Sequence, residues 1–249
     1  FLLIIIGSWT VFWQYFYSLP VFIAQWTDTG ALYDAIYKVA PGFARALGTD
    51  EGIILAEKFI ALDAFLIVIF QVIVSTLIAR FRPLTSMTAG IVVNTLGLTL
   101  TVMTRDPLFL LIGIFIFSIG EMAFSPKILE YIGRIAPKDQ AALYMGTQFL
   151  PIAIGNFIGG FISGGVYERL ADKIEMMKDL IPGPVDPSLT AAQITELAMD
   201  YQKLDEKGLT QMLWDANNPH YFGFVLAGMG IFTFICLLLY DRYIFRKES

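Results

Sequence analysis

Long apolar stretches alternate with short charged ones along this chain. Six of the stretches approach the 20 or so apolar residues that an α-helix, rising 1.5 Å per residue, needs to cross roughly 30 Å of hydrocarbon. They cover approximately residues 1–26, 59–79, 85–103, 107–126, 142–166 and 221–240. Because unpaired backbone groups are prohibitive in lipid and the stretches are this long, the pattern predicts helices and not barrel strands. We therefore expect an all-α membrane protein with six transmembrane helices.

The two longest connecting segments, residues 27–58 and 167–220, have a different pattern. The second divides at Pro182-Gly183-Pro184, and apolar residues then recur at helical spacing: Ile194, Leu197, Ala198, Tyr201 and Leu204. This spacing predicts a small amphipathic helix lying over one mouth of the bundle. The pattern alone leaves open whether that helix is a simple cap or takes part in the function.

The composition agrees with a membrane location. The chain is 56% apolar and 14% aromatic, with a mean hydropathy of +0.65, which is too apolar for an ordinary soluble domain of 249 residues. Its single cysteine, Cys236, excludes a disulfide framework, and one cysteine with one histidine, His220, cannot build a metal cluster. We expect no metal and no cofactor.

Charge predicts the orientation of the spans. Residues 80–84, 127–141 and 241–249 hold eight basic residues in 29, including Arg246 and Lys247. The opposite connections hold nine basic residues in 89, together with sixteen acids. By the positive-inside rule, the basic side and both chain ends are cytoplasmic, in a cell (inner) membrane, while segments 27–58 and 167–220 are extracytoplasmic. The net charge of −5 then belongs to the outer segments, which argues against a nucleic-acid partner.

Two carboxylic acids lie within the apolar stretches, Asp63 in the second and Glu121 in the fourth. A charge at the centre of a membrane helix costs at least about 2.5–3.5 kcal/mol, so such residues normally face a cavity or a partner. Glu121 is the stronger candidate, because Asp63 is near enough to the start of its helix to reach outer water or to form an interhelical hydrogen bond. A shielded carboxyl group suits proton exchange and equally suits binding of an ammonium group, and both readings stay open.

Neutral polar and aromatic residues form a second group of candidates. The polar ones are Gln14, Gln71, Asn94, Gln148 and Asn156. Each either contacts a solute or forms a hydrogen bond between helices, which is the commoner role. The aromatic ones are Trp9, Trp13, Tyr15 and Tyr17, which either line a pocket or serve in packing and at the membrane interface. Small residues at Gly155, Gly159, Gly160 and Gly164 predict close helix packing.

The sequence favours a transporter over an enzyme. A nucleophilic enzyme normally needs an adjacent base, yet the histidine lies in an outer segment, and the sequence has no phosphate loop or nucleotide fingerprint. We therefore expect a transporter and not an enzyme. A scaffold or receptor with the shape of a transporter is the remaining alternative.

A specific pattern of residues follows Glu121. It comprises Gly120-Glu121, Ser125-Pro126, Leu129, Ala136-Pro137, Met145-Gly146, Phe149-Leu150 and Ala153-Ile154-Gly155-Asn156. In its residues and their spacing it closely resembles the proton-dependent oligopeptide transporter family of the major facilitator superfamily. The resemblance is strong over about 40 residues. It extends to the rest of the chain as a six-helix outline.

The resemblance implies that the chain is the C-terminal bundle, helices seven to twelve, of a twelve-helix transporter whose N-terminal six-helix half is its partner. The chain starts directly on an apolar helix, so we expect that half to lie outside it. Glu121 then matches the family's tenth-helix glutamate, which recognises the amino end of a peptide. Asp63 falls near the eighth-helix asparagine, Gln14 where the seventh helix usually has an acid, and Gln148 where the eleventh usually has Trp.

The function implied is proton-coupled symport of di- and tripeptides or related amino compounds by alternating access, with the solute, protons and the bilayer as further partners. The site residues expected for substrate binding or proton coupling are Glu121, Asp63, Gln148, Asn156, Gln14 and Tyr17. The alternative is a major facilitator transporter for another small solute, such as a sugar, drug or organic anion.

Overall fold

The structure, a computed structural model, describes the backbone of residues 1–248 and the side chains of residues 1–243. The side chains of Arg246 and Lys247, part of the predicted cytoplasmic basic cluster, lie outside the described residues. The described chain is helical apart from its connections and one isolated antiparallel bridge between Gly48 and Ile54. The prediction of an all-α fold is confirmed.

Helices follow one another along the described chain with short connections. In order they are α1 (Leu2–Trp26), α2 (Thr29–Val39), α3 (Pro41–Leu47), α4 (Ala56–Ile78), α5 (Pro83–Met103), α6 (Pro107–Ile135), α7 (Ala141–Gly146), α8 (Phe149–Phe161), a π-helical segment (Ile162–Tyr167), α9 (Glu168–Ala171), α10 (Lys173–Lys178), α11 (Ala191–Gln202), α12 (Glu206–Asn217) and α13 (Tyr221–Glu248). Six helical stretches are long and apolar enough to cross a membrane: α1, α4, α5, α6, α7 to α9 taken together, and α13. The chain is therefore a multi-pass membrane protein.

Helix α6 is longer than the apolar stretch that predicts it. The stretch ends at Pro126, yet the helix continues through this proline to Ile135. A proline inside a membrane helix is tolerated because neighbouring helices and local adjustments satisfy the freed backbone groups. Beyond the proline, Ile128 and Ile132 are buried against the bundle, so the last turns pack as the earlier ones do.

The fifth predicted span, residues 142–166, is not one regular helix. It breaks at Thr147 and Gln148 between α7 and α8, and it widens into the π-helical segment before α9. Two adjacent glycines, Gly164 and Gly165, lie in that segment. Because π-helical turns are rare and tend to occur at functional sites, the segment that follows α8 is a candidate functional region.

Helices α5 and α6 pack at backbone distance through glycines on both sides. A Cβ atom added to Gly97 would lie 2.2 Å from the backbone nitrogen of Phe117, and one added to Gly120 would lie 2.2 Å from that of Asn94. Since helices in lipid gain nothing from the hydrophobic effect on association, such close packing is a main source of their attraction. We call this contact the glycine seam.

The predicted packing glycines of the fifth span behave differently. Gly155 and Gly159 lie against α1, where an added Cβ would come within 2.6 Å and 3.2 Å of the Cβ atoms of Trp9 and Trp13. Gly160 and Gly164 have open space around them, with no neighbour within 4 Å of an added Cβ. The prediction of close packing is therefore confirmed for the first two glycines and wrong, within the described residues, for the other two.

The two long connecting segments, for which the charge pattern predicts an outer location, fold onto the ends of α1, α5 and α6. The predicted amphipathic helix is α11, which buries Ile194 and Ala198 on the spaced apolar face. The neighbouring α12 places Trp214 edge-on against Trp26 at the end of α1, with 5.5 Å between the ring centroids. Arg105, in the turn between α5 and α6, lies over the Trp214 ring at 5.8 Å and donates to the main-chain oxygen of Trp26. We call these three residues the outer clamp.

The spans differ in how much of their surface the bundle buries. In the most apolar window of α1, α5 and α6, between 50% and 61% of the residues are buried, whereas the figure is 17% for α4 and for the α7 to α9 stretch. Helix α4 and the α7 to α9 stretch therefore present most of their apolar surface away from the bundle. Lipid or a further membrane segment has to cover it.

Candidate functional site

The two acids of the apolar stretches meet between α4 and α6. Asp63 is only 5% exposed, and its Oδ1 lies 2.5 Å from the hydroxyl oxygen of Ser118, which also lies 2.9 Å from the main-chain oxygen of Ile114. Glu121 follows Ser118 by one helical turn on α6, which places its carboxyl group on the same side of the helix, near enough to Asp63 for the two acids to interact. We call Asp63 and Glu121 the carboxyl pair.

Helix α1 closes the site through Tyr15. Its buried hydroxyl donates to two main-chain oxygens of α4, those of Phe59 and Ile60, each 3.2 Å away. Its ring stacks on Phe117 of α6, with centroids 4.3 Å apart and planes at 9°. One side chain thus ties together the three helices that enclose the carboxyl pair.

The Glu121 side chain is not fully satisfied. Its Oε2 atom is buried and has no hydrogen-bond partner. The ion pairs recorded among residues 1–243 involve neither acid of the pair; on α6 they join Glu130 to Lys127 and Arg134. A buried acceptor without a partner destabilises the folded protein by about 1–3 kcal/mol. Binding of a hydrogen-bond donor to Oε2 would therefore be favourable.

Aromatic side chains of α1 continue the wall beside the carboxyl pair. Trp9 packs edge-on against Phe124 of α6, with centroids 5.7 Å apart, and Phe12 stacks on Phe117 at 5.7 Å. The indole nitrogens of Trp9 and Trp13 are both buried without a hydrogen-bond partner. The face of α1 that packs on α6 therefore offers flat apolar surface, and the unpaired donor of Trp13 lies on the side toward α8, where Trp13 packs against Gly159.

Two further predicted residues, Tyr17 and Asn156, meet between α1 and α8. The Tyr17 hydroxyl donates to Oδ1 of Asn156 over 3.0 Å. Both line a shallow cavity of about 570 Å³ that runs along Gly160, Gly164 and the π-helical segment. The open glycines of the fifth span are thus one wall of this cavity.

Gln14 is held entirely by protein groups. It is fully buried, and its Nε2 donates to the main-chain oxygen of Gly159 at 2.9 Å while its Oε1 accepts from the Ser18 hydroxyl at 2.6 Å. Asn94 and Gln71 likewise donate to main-chain oxygens of α6, those of Phe117 and Met122. These amides act as interhelical hydrogen bonds in the structure, the commoner of the two roles weighed for them.

Gln148 lies apart from the other candidates. It is half-buried at the break before α8, and its side chain makes no capping hydrogen bond there. The structure thus brings together Asp63 with Glu121 and Tyr17 with Asn156, whereas Gln148 joins neither group. The six predicted site residues therefore fall into two pairs and two side chains outside them, Gln14 and Gln148.

The larger cavities lie among the outer segments. One of about 820 Å³ includes Asp28, Arg105 and Trp214, and another of about 800 Å³ follows one face of α11. Near the outer clamp, Lys173 is 6% exposed and its ammonium lies 6.0 Å from the centre of the Trp26 ring. Burial lowers the pKa of Lys173 below its ordinary value of 10.5.

Sequence reasoning missed Ser118 and the anchoring role of Tyr15. Ser118 lies three residues before Glu121 on the same helix, so its spacing places its hydroxyl beside the carboxyl face. The sequence offers Tyr15 either as a pocket aromatic or as a packing or interfacial one, and in both cases only its ring is considered. Its hydroxyl in fact bonds to main-chain oxygens of a helix 44 residues away, a contact that spacing along the chain does not reveal.

Comparisons with protein-family models, curated proteins and solved structures find no match for this chain. Its likeness to the peptide transporter family therefore depends on the residues around 120–156. The geometry adds an independent observation, namely two acids on adjacent membrane helices, Asp63 hydrogen-bonded to Ser118 and Glu121 with a buried oxygen that has no hydrogen-bond partner.

Proposed function

We propose that this chain is one half of a secondary active transporter that carries small peptides or related amino compounds into the cell together with protons. In this proposal the chain forms the C-terminal bundle, helices seven to twelve, of a major facilitator fold. A second six-helix half is its partner. The two halves rock about a site between them and expose it to one side of the membrane at a time.

The observation that carries the proposal is the state of Glu121. Its carboxyl group lies inside a membrane bundle beside a second acid, with one oxygen buried and unpaired. A protein retains such an acid in lipid only at considerable cost, and intramembrane acids of this kind mark substrate or proton pathways. The free oxygen is an acceptor ready for a proton or for the ammonium group of a solute.

The exposed faces of α4 and of the α7 to α9 stretch support a partner half. On α4 the outward residues include Phe65, Val68 and Val72, which are 60%, 82% and 75% exposed. On α8, Phe157 and Phe161 point outward beside the Tyr17 cavity. A second bundle seated across these two helices would enclose the aromatic face of α1 that lies beside the carboxyl pair.

Uptake by the reconstituted full-length protein tests the proposal. Proteoliposomes with an inward proton gradient should accumulate a radiolabelled dipeptide, and collapsing the gradient with an ionophore should abolish the accumulation. Glu121→Gln should lose it, because a hydrogen bond between ammonium and carboxylate is worth about 1.5–3 kcal/mol. That free energy corresponds to roughly a tenfold or greater loss of apparent affinity.

The matched control is Glu130→Gln on the same helix. Glu130 is an acid whose partners are Lys127 and Arg134, at 2.7 Å and 2.6 Å. Its Arg134 partner is exposed but its Lys127 partner is buried, so uptake is compared only in protein that folds; there the replacement should leave uptake within about twofold of the original, because neither partner forms an ion pair with the carboxyl pair. Uptake that survives Glu121→Gln, or that the control abolishes equally, would remove Glu121 from the mechanism.

A thermal-shift screen separates peptides from other solutes. A ligand that binds only the folded protein raises its melting temperature, by an amount that grows with concentration over Kd. Di- and tripeptides should stabilise the protein and lose that effect in Glu121→Gln. Stabilisation by a sugar, a drug or an organic anion, and not by peptides, would instead identify a major facilitator transporter for that solute.

A further inference from the structure

Two carboxylates cannot hydrogen-bond to one another, since each has only acceptor oxygens. The carboxyl groups of Asp63 and Glu121 nevertheless lie beside one another between helices α4 and α6, because Asp63 contacts Ser118 and Glu121 is one turn from Ser118 on the same helix. Two like charges at such a distance in a medium of low dielectric would repel strongly. A single proton between the two groups converts this repulsion into a hydrogen bond.

The position of Ser118 indicates which acid carries that proton. Its one hydroxyl proton has two acceptors in reach, Oδ1 of Asp63 at 2.5 Å and the main-chain oxygen of Ile114 at 2.9 Å; the shorter contact, to Asp63, favours the ionised form of that acid. No comparable donor reaches Glu121, whose Oε2 has no partner. The asymmetry draws the negative charge to Asp63 and leaves the proton on Glu121.

We propose that Asp63 and Glu121 form one proton-binding site, in which the neutral carboxyl group of Glu121 donates to the carboxylate of Asp63. This inference deepens the proposed function and rests on it for the role of the proton in transport, although not for its binding. On release, the O–H bond of Glu121 breaks, its electron pair stays on the carboxylate, and the proton passes to water or to a basic group of the solute. Binding reverses these changes.

The surroundings of the pair are consistent with this charge balance. From α1 the titratable group that faces it is Tyr15, whose hydroxyl is engaged with main-chain oxygens of α4. From α4 and α6 the pair itself supplies the titratable groups, and Ser118 supplies the neutral donor. In the part of the chain with described side chains, no lysine or arginine forms an ion pair with either acid.

Infrared difference spectroscopy of the full-length protein in lipid or detergent tests the proposal without any transport. The carbonyl stretch of a protonated carboxyl group is resolved from the amide bands and shifts in D₂O. At neutral pH the protein should show one such band. Glu121→Gln should abolish it, and Asp63→Asn should shift it, because the acceptor of the hydrogen bond changes from a carboxylate to an amide.

Ser118→Ala is the second variant, because it perturbs the site without removing a carboxyl group; it should also shift the band. Glu130→Gln should leave the band unchanged. Size-exclusion profiles identify any variant that fails to fold. The proposal is overturned if the unmodified protein has no such band, if the band survives Glu121→Gln, or if neither Asp63→Asn nor Ser118→Ala moves it.

The outcome is separable from that of the uptake experiment. A band that behaves as expected in a protein without proton-driven peptide uptake would keep the proton site and refute the proposed function. Uptake that depends on Glu121 in a protein with no such band would keep the transporter and refute the shared proton. Loss of the band on adding sodium at constant pH would show that sodium displaces the proton from the same pair, and would keep the proton site while refuting the proton as the sole coupling ion.

Discussion

The glycine seam between α5 and α6 is the contact most sensitive to the smallest possible enlargement. In Gly97→Ala the new methyl carbon would lie 2.2 Å from the backbone nitrogen of Phe117 and 2.7 Å from the main-chain oxygen of Gly113. Both atoms belong to the backbone of α6, so no side-chain rotation relieves the clash. The two helices have to separate until these contacts reach an ordinary distance of about 3.5 Å or more.

The cost of that separation follows from the packing it removes. Overpacking by a single methyl group costs about 1–3 kcal/mol in tightly packed interiors. In a protein of 249 residues, 1 kcal/mol corresponds to roughly 2–4 °C of melting temperature, so Gly97→Ala should lower it by about 2–12 °C. The separation would also move Ser118 and Glu121, which lie on the same helix as Phe117.

Melting curves from intrinsic tryptophan fluorescence in detergent measure this effect. Gly160→Ala is the matched control, because it adds the same methyl group to a membrane helix where no atom lies within 4 Å. The control should melt within about 2 °C of the unmodified protein, since a surface change is worth no more than about 0.5 kcal/mol. Equal melting temperatures for the two variants would refute the argument that the seam is held by backbone contact.

Two further variants test the cap and the anchoring of α1. Lys173→Met should raise the melting temperature at pH 7 by about 2 °C or more, because it removes a buried ammonium group. Burial lowers the pKa of Lys173, so between that pKa and 10.5 the unfolded chain binds more protons than the folded chain. The destabilisation caused by the buried ammonium is therefore fully present below this pH interval and decreases as pH rises through it. The advantage of the variant, followed in melts from pH 7 to pH 10, should therefore shrink, and a melting temperature below that of the original protein at pH 7 would contradict this. Tyr15→Phe keeps the ring stacked on Phe117 and removes the hydroxyl, so it should lower the stability by about 0.6 kcal/mol, the average for hydrogen bonds between membrane helices. Tyr15→Ala should lower the stability several times more in the same melting assay. Equal losses for the two variants would show that the ring contributes little.

The fold could be predicted from sequence because the bilayer imposes it. Apolar stretches of about 20 residues have one stable solution in lipid, and the six predicted spans correspond to the six long helices. The ends were harder to predict where local chemistry overrides hydropathy. Helix α6 continues past Pro126, and the fifth span breaks at Gln148 and widens after Phe161.

The candidate site could be predicted only as separate residues. The sequence identifies Asp63 and Glu121, because placing a charged carboxylate in the hydrocarbon of a bilayer costs free energy. Their contact depends on the relative register of α4 and α6, which packing sets and which no periodicity within either helix contains. The glycine seam escaped notice for the same reason, because Gly97 and Gly120 look ordinary until their helices are paired.

The outer clamp has a mechanical consequence. Arg105 and Trp214 grip the last residue of α1, Trp26, from two different connecting segments. If α1 tilts relative to the bundle, these contacts require α12 and the turn between α5 and α6 to move with it as one unit. A displacement of this end of α1 is therefore transmitted to α12 and to the turn between α5 and α6.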